Sequence, residues 1–358
     1  MSTVLNPLTA PPICPRDLDE ICARTEPLWD GMRRQRVFIT GGTGFFGCWL
    51  LESFLAANTH FDLHAQITVL TRSPQSFRLR SPHITEDPAV SLLEGDVRSF
   101  RFPEGEFPFV IHAAAETGHP SAGHAGNDAL HTLSTIFDGA RNTLEFAASH
   151  GARKLLMISS GAVYGVQPAA ISHLPESYGG GPDPCLLRSA YGEAKRAAEA
   201  LCAAYSTPGL ACKIARCFTF VGPHLPLDRG YAIGNFIHNA LASRAIRIHG
   251  DGAPLRSYLY ATDLAVWLWT VLVHAPSLRP VNIGSALPIS IRNLAAEVKA
   301  ALQPGLTVEI LGRPAPDLPP PRYVPSVQRA CDELGLVQTV ELREAIQRTA
   351  EWYGWKRC

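Results

Sequence analysis

The stretch 37–47, with the sequence VFITGGTGFFG, constrains the fold of this chain most strongly. An apolar run leads into glycines at positions 41, 44 and 47, and a segment with helical spacing follows. An apolar run of roughly four to eight residues that ends in glycine is typical of a buried parallel strand. A second apolar run, 66–71, follows at the distance expected for the next strand of a βαβ unit. The pattern therefore predicts a strand, a glycine-rich loop, a helix and a second strand.

The three glycines suit a loop that holds a pyrophosphate. Gly41 and Gly44 would let the backbone turn tightly and approach phosphate oxygens, whose charge then lies at the N-terminus of the helix. Gly47 would let that helix pack closely on its strand. A glycine triplet can also be an ordinary turn, but the strand before it and the helix after it favour dinucleotide binding. The other loop residues expected at the cofactor are Thr43, Phe45 and Phe46.

The alternation of strand and helix patterns continues along the chain. Residues 109–115 and 154–160 have the composition of further buried strands, and residues 128–149 have that of the helix between them. Repeated alternation predicts an α/β fold with a doubly wound parallel sheet of the Rossmann type. Residues 1–34 precede this unit as an N-terminal extension, in which Asp17 is expected to cap a short helix.

Composition argues against several classes of function. Lysine plus arginine and aspartate plus glutamate are equal at 32 each, so no net field favours nucleic acid or an anionic membrane. No apolar run approaches the roughly 18–20 residues that span a bilayer, and the N-terminus does not resemble a signal peptide. The nine cysteines form no Cys-x-x-Cys pair and the 13 histidines show no metal-site spacing. We expect a cytoplasmic protein that binds no metal, nucleic acid or membrane.

Residues just after the predicted strands are expected to contact the rest of the dinucleotide. Arg72 follows the second strand, where NAD-selective sites usually carry an acidic residue and an arginine suits a 2′-phosphate. It favours NADP, although a solvated loop arginine is an alternative interpretation. Asp96 and Val97 are predicted to lie at the edge of the adenine pocket. Three small residues would let the cofactor approach the backbone of a later strand, namely Ala113, Ala114 and Ala115.

A tyrosine and a lysine four residues apart carry the candidate chemistry. Tyr191 and Lys195 share one face of a predicted helix, and a lysine ammonium would lower the pKa of a nearby phenol from about 10 towards neutrality. The phenolate can remove the proton of a substrate hydroxyl while the adjacent carbon gives its hydride to a nicotinamide. Ser160, at the end of its predicted strand, could hydrogen-bond the same oxygen. Tyr-x-x-x-Lys alone is a common surface pattern, so the glycine-rich loop and the strand ending at Ser160 are what favour catalysis.

These features together resemble an extended short-chain dehydrogenase/reductase of the NAD-dependent epimerase/dehydratase type, whose members modify nucleotide sugars. The resemblance covers about residues 35 to 355 and keeps several independent motifs in the family order. The matching segments are 41–47, 112–116, 159–165, 191–195, 216–223, 250–252, 256–265 and 282–284. They are specific for the family and far less specific for the reaction.

The resemblance implies roles for individual residues. Ser160, Tyr191 and Lys195 would form the catalytic triad, and Arg256 would bind the nucleotide diphosphate. Thr219 stands where many relatives have an asparagine that contacts the diphosphate, and its hydroxyl can donate one hydrogen bond. The other residues expected at the substrate are Glu116, Gly161, Ala162, Arg313 and Asp317.

The resemblance also implies a domain division and an assembly. Residues 35–217 would form mainly the NAD(P)-binding Rossmann domain, and residues 218–358 mainly a smaller substrate-binding domain. Residues 165–187 would contribute to the smaller domain, while strands around 257–284 would return to the Rossmann sheet. The cofactor would be tightly bound NAD or NADP, the substrate a nucleotide sugar, and the protein a homodimer formed by a helix bundle.

Two small residues after the catalytic serine separate the possible reactions. Family dehydratases usually carry an acidic pair there and decarboxylases a glutamate, whereas this chain has Gly161 and Ala162. Dehydration or decarboxylation would then need another group, such as Glu116, His119 or Glu193. Small residues would leave room for a keto sugar to rotate, so epimerisation at C4 is the leading prediction.

Other functions stay open at this stage. A nucleotide-sugar 4,6-dehydratase or decarboxylase of the same family is one alternative. An NADPH-dependent keto-sugar reductase is another, and Arg72 supports it. A non-catalytic regulator that senses dinucleotides is a remote alternative, because a sensor has no need of a phenolate from Tyr191 and Lys195.

Overall fold

The computed structural model describes residues 9–115, 125–313 and 319–356, and for 125–127 the backbone alone. Its strands are β1 (Arg36–Thr40), β2 (Gln66–Thr71), β3 (Val90–Glu94), β4 (Phe109–His112), β5 (Lys154–Ser160), β6 (Ala211–Cys217), β7 (Phe220–Val221), β8 (Ile246–Ile248), β9 (Leu255–Arg256), β10 (Leu259–Tyr260), β11 (Val281–Ile283), β12 (Ile289–Ser290), β13 (Val308–Ile310) and β14 (Arg322–Tyr323). Its helices are α1 (Pro15–Thr25), α2 (Phe45–His60), α3 (Pro74–Arg80), α4 (Pro82–Thr85), α5 (Ala125–Ser149), α6 (Ala190–Tyr205), α7 (Ala232–Leu241), α8 (Ala261–His274), α9 (Ile291–Leu302), α10 (Gln328–Leu334) and α11 (Leu342–Trp352).

Seven strands form the main sheet, in the spatial order β11-β6-β5-β4-β1-β2-β3. Every neighbouring pair is parallel, so the carboxyl ends of all seven strands meet at one edge. The strand order reverses between β1 and β4, where a crevice opens in sheets of this kind. The predicted Rossmann-type α/β fold is confirmed, and the predicted strands 66–71 and 154–160 match β2 and β5.

Alternating residues of the buried strands explain why helices cover both faces of this sheet. Val37 and Ile39 of β1 belong to the core cluster that contains α2 and α8. Phe38, between them, points to the other face and packs in the cluster that contains α5 and α6. Because side chains alternate along a strand, a continuous apolar run requires an apolar layer on each side.

Glycine is required where the loop between β1 and α2 crosses the sheet edge. Gly41 has a φ of +71°, and a Cβ placed there would lie 2.5 Å from the backbone carbon of Ala113. A Cβ on Gly47 would lie 2.4 Å from the carbonyl oxygen of Gly41. Any side chain at these positions would separate α2 or β4 from the loop, so the glycines fix how closely the elements pack.

Short strands beyond β6 form a second, smaller set of sheets. β9 lies between β12 and β14, β13 pairs with β8, and β10 pairs with β7. Residues 165–187 join this region, because the Leu174 amide donates to the Val324 carbonyl (2.9 Å) and the Ser326 amide donates to the Leu174 carbonyl (2.8 Å). The smaller sheets therefore lie beside the carboxyl end of β6, where β7 begins three residues later.

The N-terminal helix α1 packs on α2 and α8 of the same chain. The prediction that Asp17 caps this helix is wrong, because the N-cap is Cys14 and Asp17 is buried. Asp17 pairs instead with Arg348 of α11 and accepts a hydrogen bond from the Tyr260 hydroxyl (2.8 Å). A carboxylate that looks like a cap from local sequence thus joins the two ends of the chain.

Glu52 of α2 forms a buried contact between three distant segments. Its carboxylate accepts from the Ile13 amide (2.6 Å) and lies 2.9 Å from His224 Nε2 and 3.3 Å from His83 Nε2. Burial opposes charge on both partners, yet the Cys48 thiol and the Glu52 carboxylate raise the pKa of His224 to about 9. The two histidines likewise hold the pKa of Glu52 below its usual value.

We predict that this contact makes stability depend on pH above neutrality. The pKa of His224 is about 9 in the folded protein against 6.5 for an ordinary histidine, so its contribution is complete below pH 6.5 and disappears as pH rises through 9. The difference corresponds to about 3 kcal/mol in the free energy of unfolding. Urea unfolding of the wild type should show this loss between about pH 6 and pH 10. His224→Gln should lack it, whereas the exposed His274→Gln should retain it; equal slopes in wild type and His224→Gln would contradict the prediction.

Candidate active site

The predicted catalytic residues meet at the carboxyl end of β5. Ser160 ends that strand, and its hydroxyl accepts a hydrogen bond from the Ala162 amide (3.1 Å). Helix α6 carries Tyr191 and Lys195 on one face, and the buried ammonium of Lys195 donates to the Ile158 carbonyl (2.7 Å). The same nitrogen lies 6.0 Å from the centre of the Tyr191 ring. The structure therefore brings the three side chains together.

Burial dominates the protonation of this group. Desolvation raises the pKa of Tyr191 to about 12, although the Ser160 hydroxyl beside it offsets part of the rise. Desolvation also lowers the pKa of Lys195 to about 8. The prediction that Lys195 lowers the pKa of Tyr191 towards neutrality is therefore wrong for the protein alone. Tyr191 begins as a neutral phenol, and its ionisation requires a further positive charge close to the ring.

A third residue on the same face of α6 was not predicted. Glu199, four residues after Lys195, pairs with Arg216 of β6 at 2.6 Å and accepts a hydrogen bond from the Ser159 hydroxyl. The pair is mostly buried and lies beside Ser159, the register partner of Arg216 and the residue before Ser160. The i, i+4 continuation from Tyr191 through Lys195 was the available signal for it.

The room expected above Gly161 is filled. A Cβ placed on Gly161 would lie 2.6 Å from the hydroxyl oxygen of Tyr323 and 2.8 Å from the ring of Phe218. The two rings pack against each other at a tilt of 35°, with centres 4.7 Å apart. The expectation that small residues leave space for a keto sugar to rotate is therefore wrong. Neither aromatic residue was predicted at the site, although Phe218 lies in the matching segment 216–223.

Arg256 lies next to Tyr323 in the smaller sheets. The two residues are direct partners in the β9–β14 register, and the guanidinium carbon is 6.0 Å from the Tyr323 ring centre. The Thr219 hydroxyl donates to the Ser257 carbonyl, so its proton holds β7 and β10 together in this structure. Arg256 and Ser160 thus both lie near Tyr323, and the Thr219 hydroxyl proton is already donated within the protein.

Within the described residues, the structure does not bring the other predicted substrate-site residues to Ser160. Glu116, His119 and Asp317 lie outside the described residues. Arg313 is exposed beyond β13. Glu193 lines a cavity between α5 and α6 and lies 3.6 Å from Arg196, so it does not replace the acidic group that is missing after Ser160.

The glycine-rich loop has the geometry needed to hold a dinucleotide. Gly44 is the N-cap of α2 and supplies no side-chain cap, so the first amides of the helix are available to a phosphate. Around Gly44 a Cβ would meet only the Gly41 carbonyl oxygen, at 3.5 Å, which leaves the approach open. Arg80 donates to the Thr43 carbonyl and so holds the loop from outside. The loop fits a pyrophosphate, with Phe45 and Phe46 as the first helical residues.

Charged residues surround the predicted adenosine end. Asp96 accepts from Arg98 Nε (2.9 Å) and Nη2 (2.8 Å), and this pairing lowers the pKa of Asp96 to about 2. The charge of Arg72 contributes to the same shift, so Arg72 lies near the carboxylate. Val97 follows on the α5 side, where its carbonyl accepts from Asn142 (3.1 Å). The guanidinium groups of Arg72, after β2, and Arg98, after β3, thus lie near the single carboxylate of Asp96.

His112 marks the floor of the crevice between β1 and β4. Burial and the nearby charge of Lys195 lower the pKa of His112 to about 3, so the ring is neutral. Its Nδ1 lies 3.0 Å from the Thr40 hydroxyl and 3.1 Å from the Thr143 hydroxyl. The alanines that follow pack on the loop: the Ala113 amide donates to the Thr40 carbonyl (3.1 Å), and the Ala114 amide donates to the Thr40 hydroxyl (3.3 Å).

The described residues form neither a metal site nor a membrane-spanning helix. No three histidine, cysteine, aspartate or glutamate side chains among them are arranged to hold a metal ion. Within the same part of the chain, no helix has the length and apolar character needed to cross a bilayer.

Comparison with known proteins identifies relatives that act on nucleotide sugars. UDP-glucuronic acid decarboxylase 6 of Arabidopsis thaliana is 30% identical over 312 residues, which cover 87% of this chain and 86% of that protein. UDP-glucuronic acid decarboxylase 1 of Xenopus tropicalis is 29% identical over 324 residues, covering 89% of this chain and 72% of that protein.

Solved structures show the same fold. The UDP-glucose 4-epimerase of Thermotoga maritima superimposes with a TM-score of 0.73 at 19% identity, over 89% of this chain and 99% of that chain. The dTDP-glucose 4,6-dehydratase of Streptomyces venezuelae, solved with NAD, gives a TM-score of 0.72 at 24% identity, over 89% and 97% of the two chains.

A family model covers most of the chain and agrees with the resemblance that the sequence motifs indicated. It matches residues 37–284, from the first strand of the main sheet to the last. The match includes the glycine-rich loop, Ser160 and the Tyr191/Lys195 pair. The chain therefore belongs to the NAD dependent epimerase/dehydratase family, and it is an enzyme of that family.

Proposed function

We propose that the protein decarboxylates a nucleotide-linked uronic acid through transient oxidation at C4. The observation that carries this proposal is the side chain that fills the place of the missing acid: the Tyr323 hydroxyl lies 2.6 Å from where a Cβ of Gly161 would be. The relatives named UDP-glucuronic acid decarboxylase support the same reaction. The proposal replaces epimerisation, whose support was the room above Gly161.

The first step would use the three residues at the end of β5. Tyr191 removes the proton of the C4 hydroxyl, Ser160 hydrogen-bonds the same oxygen, and Lys195 supplies positive charge from its position on the Ile158 carbonyl. Bound NAD(P)⁺ would supply the hydride acceptor and a positively charged ring. That charge favours the phenolate of Tyr191, whose pKa in the protein alone is about 12.

Decarboxylation makes the smallest demand on the residues after Ser160. Once C4 is a ketone, the C6 carboxylate is a β-keto acid, and the electron pair of the broken C5–C6 bond passes into the carbonyl group without a base. Dehydration instead requires one group to remove the C5 proton and another to protonate the leaving oxygen. Gly161 and Ala162 can do neither.

One rival reaction has an observation of its own. Arg72 near the predicted adenosine end favours NADP, and an NADPH-dependent keto-sugar reductase would use that cofactor stoichiometrically. Such a reductase needs the same Tyr191 and Lys195, so geometry alone does not separate it from a decarboxylase. Cofactor turnover does, because transient oxidation returns the hydride and consumes no cofactor.

We further infer how the chain is organised around this reaction. Residues 35–217 would bind NAD(P) and residues 218–358, with 165–187, would bind the nucleotide sugar. Arg256 would meet its diphosphate, and Ala162 would line the sugar pocket next to Gly161, whose side-chain position the Tyr323 hydroxyl fills. The enzyme would work in the cytoplasm.

The proposed function is tested by product analysis without added cofactor. Purified protein mixed with UDP-glucuronic acid should yield a product that is lighter by one carbon dioxide, measured by mass spectrometry. Tyr191→Phe should reduce turnover by about 10²- to 10⁴-fold with little change in thermal stability, because it removes only the base. A product of unchanged mass, a loss of water, or turnover only with stoichiometric NADPH would each overturn the decarboxylase.

We predict that Arg72 selects NADP over NAD. Arg72→Asp should remove a guanidinium from the 2′-phosphate and raise the Kd for NADP at least about tenfold, while the Kd for NAD falls or stays constant. Fluorescence titration of both dinucleotides measures this. Arg78→Asp, at another exposed arginine of the same segment, is the matched control and should leave the ratio unchanged. If Arg72→Asp leaves the ratio of the two Kd values unchanged, residues other than Arg72 recognise the adenosine end of the cofactor.

We predict a homodimer through α5 and α6. The side chains of Leu130 and Phe137 on α5 are 68% and 39% exposed, and a cavity of about 420 Å³ between the helices adds an apolar surface beside them. Leu130→Asp with Phe137→Asp should halve the mass measured by light scattering. Leu79→Asp, at a leucine 69% exposed on α3, should not. A monomeric wild type would exclude this interface.

A further inference from the structure

Tyr323 occupies the position that a side chain after Ser160 would take. Its hydroxyl oxygen is 2.6 Å from the ideal Cβ of Gly161, closer than a real Cβ could approach it. The Ser160 hydroxyl lies beside both Tyr191 and Tyr323, since it lowers the pKa of each phenol relative to burial alone. Two phenols therefore face one serine, and only Tyr191 has a part in the oxidation described above.

The backbone on both sides of Tyr323 is held firmly. Tyr323 pairs with Arg256 in the β9–β14 register, and the next amide, Val324, donates to the Gln167 side chain (2.9 Å). Two residues further on, the Ser326 carbonyl accepts from the Asn282 side chain (3.0 Å). Phe218 packs against the Tyr323 ring at a tilt of 35°, so contacts on the ring and on the backbone together fix the position of Tyr323.

The surroundings of Tyr323 keep its phenol protonated. Burial raises the pKa of the Tyr323 hydroxyl, and the opposing effects of Ser160 and Arg256 do not cancel the rise. A phenol with a raised pKa is a proton donor at neutral pH and a poor base. A donor at this place is what decarboxylation still lacks, because loss of carbon dioxide leaves an enolate whose C5 must receive a proton.

We propose that Tyr323 is a second catalytic residue, which protonates C5 of the sugar after carbon dioxide has left. The inference rests on the decarboxylase proposed above. The C5–C6 bond breaks and its electron pair forms the C4–C5 enolate. That pair then forms the new C5–H bond as the Tyr323 O–H bond breaks, and the phenolate recovers its proton from water. Tyr191 then gives its proton back to the oxygen of the restored C4 ketone, and bound NAD(P)H would supply the hydride for C4.

Assigning C5 to Tyr323 leaves Tyr191 with a single task. Tyr191 holds the proton taken from the C4 hydroxyl until the hydride returns, so it cannot also protonate C5 without losing it. Ser160 lies beside both phenols and can hydrogen-bond the C4 oxygen throughout. A separate donor for C5 also fixes the face of the sugar on which C5 receives its proton.

The test follows the fate of C5 in heavy water. Wild type acting on UDP-glucuronic acid in D₂O should place one deuterium at C5 in a single configuration, measured by NMR of the product. Tyr323→Phe keeps the ring and its packing against Phe218 but has no hydroxyl proton to give. It should lower kcat by about 10²-fold with KM little changed, and reduced nicotinamide should accumulate because the enolate cannot accept hydride. Its residual product should carry deuterium in both configurations at C5.

One control variant and the release of carbon dioxide separate this proposal from the reaction it depends on. Tyr205→Phe removes a hydroxyl at the far end of α6, where it donates to Glu145 (3.3 Å), and should behave like wild type. If wild type releases carbon dioxide and Tyr323→Phe gives the same kcat and C5 configuration, Tyr323 is not the donor and the decarboxylase stands. If wild type releases no carbon dioxide, both proposals are wrong.

Discussion

The buried ion pair between Glu199 and Arg216 positions the candidate active site. Glu199 follows Tyr191 and Lys195 at four-residue intervals, so one face of α6 carries a phenol, an ammonium and a carboxylate towards the sheet. The carboxylate lies 2.6 Å from Arg216 of β6 and also accepts from Ser159, while Lys195 donates to Ile158. Leaving either charge unpaired in such a place costs about 3–5 kcal/mol. These contacts with the sheet therefore fix the orientation of α6 about its own axis. Glu199 and Arg216, which make the strongest of them, take no part in the chemistry.

A second buried polar contact brings the far end of the chain to the same place. Asn282 of β11 donates to the carbonyls of Leu174 (2.8 Å) and Ser326 (3.0 Å) and accepts from the Tyr164 hydroxyl (2.7 Å). It thus joins a strand of the main sheet to the two segments that flank the substrate side. A buried amide with every donor satisfied specifies one arrangement of its partners. Because Tyr323 lies three residues before Ser326, this contact also helps to fix the position of Tyr323.

Local patterns predicted the sheet and the first half of the site well. The glycines of 41–47 and the spacing of Tyr191 and Lys195 are short-range features, and β2 and β5 began and ended as their apolar runs indicated. Three predictions failed because they depend on tertiary contacts. Asp17 pairs with a distant arginine instead of capping α1, burial raises rather than lowers the pKa of Tyr191, and Tyr323 fills the space at Gly161. No periodicity in the sequence reports which distant side chain will occupy a glycine's empty volume.

Gly161 and Tyr323 depend on each other, and together they limit the reaction. Any side chain at 161 would meet the Tyr323 hydroxyl and the Phe218 ring, so an acidic group after Ser160 and this phenol exclude one another. A glutamate in that place could give a proton and take one. A buried phenol with a raised pKa can readily give one but is a poor base at neutral pH. A phenol in place of a carboxylate therefore disfavours reactions that begin with removal of a proton from C5. It remains compatible with reactions in which C5 gains its electron pair from a broken carbon–carbon bond.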